Sequence, residues 1–118
     1  MPVDLISTGP VHATGSLLLA HGAGVDSQSP FMQAMADGLA QLNWRVHRFD
    51  FPYMVNRRLT GQKSLPNRPE VLLKAFKDAV DQVDQDRPLV IGGKSMGGRI
   101  ASLLLDELHA SSTVAAGV

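Results

Sequence analysis

A chain of 118 residues, 44% of them hydrophobic, with eleven acidic and eleven basic side chains, can build one core and carries no net charge, which argues against a nucleic-acid partner. It has no cysteine, so disulfides and thiolate metal sites are excluded and the redox compartment stays undecided. Met1 to Ile6 lacks a basic start followed by an apolar stretch, and no segment approaches the ~18 apolar residues of a membrane span. The expectation is one soluble, cytoplasmic domain over residues 1–118, with no metal and no cofactor.

Short apolar runs alternate with amphipathic stretches, the pattern of βαβ units and a parallel sheet. Ser16 to Ala20 (SLLLA) reads as a buried strand ending in His21-Gly22-Ala23-Gly24. Ser29-Pro30 then supplies a helix cap followed by proline at the first helical position, and Phe31, Met35, Leu39 and Leu42 suggest the apolar face. Trp44 to Phe51 (WRVHRFDF) reads as the next strand. Pro52 to Arg68 is polar, holds Arg57, Arg58, Gly61 and Lys63, and reads as a long loop, either functional or merely solvated. Pro69 to about Asp86 predicts a helix with Leu72, Ala75, Phe76, Ala79, Val80 and Val83 on one stripe. The aromatics Trp44 and Tyr53 and the four phenylalanines are read as core.

The most informative run follows: Leu89-Val90-Ile91 leads into Gly92-Gly93-Lys94-Ser95-Met96-Gly97-Gly98-Arg99, and Ile100 to Leu105 continues as an apolar helix. A strand breaking into Gly-x-Ser-x-Gly and then a helix is a nucleophile elbow, which lifts the serine hydroxyl to the top of the sheet. Gly93 and Gly97 flank Ser95 because a Cβ there would clash as strand and helix fold back on each other. Gly93-Lys94-Ser95 also matches the tail of a phosphate-binding loop, but that motif needs glycine at position 88, which is proline, and several loop residues before the lysine. The competing plain reading is a glycine-rich loop with an ordinary serine cap.

A serine hydroxyl needs a base to take its proton. After Ser95 come Asp106, Glu107 and His109, all on the helix that Ser95 opens; at 1.5 Å rise per residue His109 lies roughly 20 Å away, beyond reach. His109 is read as a last-turn residue favoured by the helix dipole. His12 precedes the first clear strand and His47 lies mid-strand, where a packed or hydrogen-bonded role is the simpler reading. His21 stands at the carboxyl edge of the sheet with Ser95 and is the one histidine with access to it. The run Gly22-Ala23-Gly24 with Asp50 further on also invites a dinucleotide reading, but Ser27 occupies a position that requires glycine or alanine.

The segments LLLAHGAG, SPFM, RFDFPYM, RPEVLL and IGGKSMGGR resemble the small dienelactone-hydrolase-like branch of the α/β-hydrolase fold, over about residues 16 to 118. The resemblance implies a doubly wound parallel sheet, an αβα sandwich, in which SLLLA, WRVHRFDF, LVIGG and TVAAGV are the third to sixth strands in spatial order 4-3-5-6. It implies Ser95 as nucleophile and an oxyanion hole made by the N–H groups of Ala23 and Met96, supported by His21, Gly22, Gly24, Gly93 and Gly97. His21 then orients backbone rather than taking a proton. The activity implied is serine hydrolysis of an ester, thioester or similar acyl bond in a small molecule.

In that fold the acid and histidine follow the serine on later strands. The chain stops in Ser112 to Val118, an apolar run that looks cut, so strands seven and eight are expected to be missing and the 118-residue chain inactive by itself. The alternative is a non-catalytic scaffold or truncated remnant. An edge exposed at TVAAGV is expected to favour self-association.

Overall fold

The computed structural model describes residues 3–84, 87–110 and 116–117. In chain order its elements are β1 (Ile6–Thr8), β2 (Gly15–Ala20), α1 (Pro30–Gln41), β3 (Trp44–Phe49), α2 (Pro52–Thr60), α3 (Pro69–Asp81), β4 (Leu89–Gly93), α4 (Met96–Ala110) and β5 (Ala116–Gly117). The strands form one sheet in the order β1-β3-β2-β4-β5. From β3 through β2 and β4 to β5 every pairing is parallel, in the predicted order. β1 adds an antiparallel edge against β3. Its three residues are too few for a periodic pattern to announce them, so their pairing is what makes them a strand.

All six residues of β2 are buried, as befits a parallel strand covered on both faces. Leu18 and Ala20 join Phe49, Phe76, Ile91 and Leu104 on the side of α3 and α4. Leu17 and Leu19 join Met32, Ala36 and Val46 on the side of α1. The sheet is therefore doubly wound, with layers αβα. The predicted stripe of α3 is buried from Leu72 to Val83, although the helix ends at Asp81; residues 85–86 lie outside the described residues.

α1 opens where its cap predicts, with Ser29 Oγ accepting from the Met32 N–H at 3.3 Å and Pro30 in the first turn. Its buried face differs from expectation. Met32 and Ala36 are inside, whereas Phe31, Met35 and Leu42 are 49, 41 and 70% exposed. Apolar residues at both 31 and 32 offer two stripes one residue apart, and contact with Leu17, Leu19 and Val46 selects the second.

Residues 52–68 are a larger correction, because the first half of the expected loop is a helix. α2 carries Pro52 in its first turn and ends on Gly61, whose φ of 73° is the left-handed C-cap. These are the start and stop marks of a helix, hidden by its polar composition. Asn67 folds back to cap it, its Oδ1 accepting from the Tyr53 N–H at 2.9 Å. Of TVAAGV, Ala116 and Gly117 pair with Val90 and Ile91, and the rest lies outside the described residues. Among the described residues no helix is long and apolar enough to cross a membrane.

Candidate active site

Ala20 stands in register with Phe49 on one side and Gly93 on the other. The segments that follow the three central strands therefore leave the sheet at one edge: His21 to Gly24, Asp50-Phe51 and Lys94-Ser95. Open parallel sheets place ligands outside this carboxyl edge.

Ser95 is exposed and has φ 54°, a conformation uncommon for a residue with a Cβ. The turn around it is tight. The Lys94 N–H donates to Ala20 O, the Gly97 N–H to Lys94 O and the Arg99 N–H to Ser95 O, each at 3.0 Å. A Cβ on Gly93 would stand 2.5 Å from the carbonyl carbon of Gly97 and 2.7 Å from Ala20 O; one on Gly97 would stand 2.5 Å from both Ala20 O and His21 O. All of these are backbone atoms, so glycine is required at both positions. Met96 opens α4, where an N–H has no acceptor in a preceding turn. Between β4 and α4 lie Lys94 and Ser95 alone, too few to wrap a phosphate. Lys94 Nζ lies over the Phe31 ring, 5.4 Å from its centroid, which gives that exposed aromatic its contact.

The loop after β2 abuts this turn: a Cβ on Gly22 would lie 3.2 Å from Lys94 O and 3.7 Å from the Ser95 Cβ. Ala23 and Gly24 are exposed beside it. His21 is fully buried. Its Nε2 lies 3.0 Å from the Phe51 N, a group that can only donate, so Nε2 is the acceptor and the proton sits on Nδ1, which donates to Gly22 O at 2.6 Å. Burial holds its pKa below 6.5 against the raising effects of Gly22 O and Asp50, in accord with a neutral ring. The Asp50 carboxylate stands 3.9 Å from Nε2, but that lone pair is already committed to Phe51. With both nitrogens engaged, His21 organises backbone and is not available as a base to Ser95.

Asp50 has a structural task of its own. Its carboxylate accepts from the Ser27 N–H at 2.8 Å, from Ser27 Oγ at 3.0 Å and from Arg58. The carboxylate that a dinucleotide ribose would need is thus spent on the loop, and Ser27, the residue that spoils the fingerprint, is its partner. Asp50 and Ser27 escape sequence reasoning as a pair because their 23-residue separation has no period; Tyr53 and Arg57, which reach the same loop from α2, were hidden with that helix.

The other histidines stand apart. His47 on β3 bonds Ser7 Oγ at 2.8 Å, and burial together with Arg45 lowers its pKa. His12 is exposed. Position 109 lies in the last turn of α4, with Asp106 and Glu107 exposed before it and Glu107 paired to Lys77 at 3.2 Å. Among the described residues no group of His, Asp and Glu is arranged to hold a metal ion.

The sequence pattern of the alpha/beta hydrolase domain matches residues 13–118, and the chain belongs to that family. Dienelactone hydrolase from Anabaena variabilis superposes with a TM-score of 0.81 at 24% identity, over 98% of this chain and 55% of that one. Est1E from Butyrivibrio proteoclasticus gives 0.74 at 16%, over 98% and 44%. YbtT, the type II thioesterase from the yersiniabactin biosynthetic pathway, gives 0.68 at 23%, over 93% and 43%. At these identities the likeness shows the fold. The chain spans about half the length of these solved structures. No curated protein matches it significantly.

Proposed function

We propose that the chain carries the nucleophile and oxyanion half of a serine hydrolase acting on an ester, thioester or similar acyl bond of a small molecule. The observation that carries the reading is Ser95, exposed in a left-handed turn between β4 and α4 with the His21–Gly24 loop against it. Ser95 Oγ attacks the acyl carbon and its proton passes to a base. As the carbonyl oxygen gains charge, the N–H groups of Met96 and Ala23 stabilise it, with Gly22 and Gly24 giving the room for close approach. The tetrahedral intermediate collapses by breaking the bond to the alcohol or thiol, which leaves with the proton returned by the base; water, deprotonated by the same base, then attacks the acyl-enzyme and frees the carboxylic acid and Ser95.

No described imidazole meets Ser95, so the base and its carboxylate come from outside these residues, and the 118-residue chain alone should turn over activated esters little. An oxyanion hole without its base retains only about 10³ to 10⁴ of acceleration over water. The same observation favours a second reading, a non-catalytic scaffold of hydrolase fold. A fluorophosphonate probe applied to the product of the native gene separates the two. Labelling that disappears in Ser95→Ala supports the serine hydrolase; absence of labelling in the folded native product supports the scaffold.

A further inference from the structure

The loop beside Ser95 has little packing of its own. Ala23 and Gly24 are exposed, and no atom lies within 4 Å of where a Cβ on Gly24 would stand. Yet three consecutive carbonyls in it are tethered. His21 Nδ1 donates to Gly22 O at 2.6 Å, Tyr53 Oη to Ala23 O at 2.9 Å with Gly22 O 3.4 Å away, and an Arg57 Nη to Gly24 O at 2.9 Å. Tyr53 and Arg57 stand four residues apart on α2, on one helix face. The next residue, Arg58, holds Asp50, which holds Ser27. α2 thus grips the loop at both ends.

A trans peptide unit is planar, with its C=O and N–H antiparallel. Gly22 O and the Ala23 N–H belong to one such plane, Ala23 O and the Gly24 N–H to the next. Drawing these carbonyls toward His21 and α2 turns both N–H groups the opposite way. We propose that Tyr53 and Arg57 are positioning residues that aim the Ala23 N–H at the oxyanion formed on Ser95: Tyr53 acts on the two peptide planes that flank Ala23, through Gly22 O and Ala23 O, and Arg57 fixes the far end of the same loop through Gly24 O, whose plane carries the Val25 N–H. The proposal rests on the reading of Ser95 as nucleophile. Burial raises the Tyr53 pKa above 10.0, so its hydroxyl keeps the proton that it donates, and Tyr53→Phe removes the tether while leaving the ring in the core.

The test uses the native gene product carrying Tyr53→Phe, Arg57→Ala or Arg57→Lys. Fluorophosphonate labelling rates, kcat and KM on p-nitrophenyl acetate, and amide hydrogen exchange over residues 22–24 are measured for each. Oxyanion contacts act in the transition state. Tyr53→Phe and Arg57→Ala should therefore each lower kcat and the labelling rate about tenfold with KM within about twofold, and raise exchange over the loop. Arg57→Lys, which keeps a donor, should recover most of the loss. Unchanged kcat, or a change confined to KM, overturns the proposal. If the unsubstituted protein does not label, or Ser95→Ala still labels, the serine reading fails instead. The tether is then judged on exchange alone: faster exchange confined to the loop upholds it, and unchanged exchange overturns it.

Discussion

Gly93 and Gly97 show how one missing carbon shapes the site. At either position the added methyl group meets backbone at 2.5 Å, which no rotamer change relieves, so Gly93→Ala and Gly97→Ala should each cost about 2–3 kcal/mol or more. Gly24→Ala, with open space around it, should change stability by less than about 0.5 kcal/mol. Urea denaturation midpoints of the three variants check the contrast. His21 makes a second prediction at this scale. Its pKa is lowered in the fold by burial, so the unfolded chain binds more protons and stability rises with pH. The contribution is complete above 6.5, the unfolded value, and fades as the pH falls below it. His47, also lowered by burial, acts in the same direction. Denaturation midpoints from pH 7.5 down to 5.5 should therefore fall, and the slope should flatten in His21→Asn.

Elements that announce themselves locally were legible. The Ser29-Pro30 cap, the α3 stripe and the strand-turn-helix at Ser95 each need neighbours within a few residues, and each forms where expected. Ser29→Ala should cost about 1 kcal/mol by leaving the Met32 N–H without its acceptor, measurable as a lower thermal midpoint. α2 escaped because its composition is polar and its contribution is made at long range, through Tyr53 and Arg57 on the loop of β2. The face of α1 escaped for another reason: two apolar stripes were on offer, and the sheet beneath chose between them.

On the scale of the whole molecule, β5 stands at the end of the sheet and pairs with β4 through Val90 and Ile91. A parallel strand in that place offers hydrogen-bonding groups to another strand. We propose that the 118-residue chain self-associates along it. Size-exclusion chromatography with light scattering on that chain should show dimers or larger species growing with concentration, and a monomer throughout would overturn the expectation.

Local chemistry in the sequence was enough to determine the αβα class and the turn that presents Ser95, because periodicity, caps and paired glycines act over a few residues; the order of the four parallel strands came with the family resemblance, and the antiparallel edge strand β1 came only with the tertiary pairing. Tertiary structure alone decided the protonation of His21. Its two ring nitrogens face Gly22 O and the Phe51 N–H, and the second partner arrives only when β2 and β3 align. It likewise decided that Asp50 serves Ser27 and Arg58, and that a helix hidden in a polar stretch grips the loop beside the serine. Hydrogen bonds between residues twenty to thirty apart leave no period to read; they exist once the sheet has brought the ends of its strands to one edge.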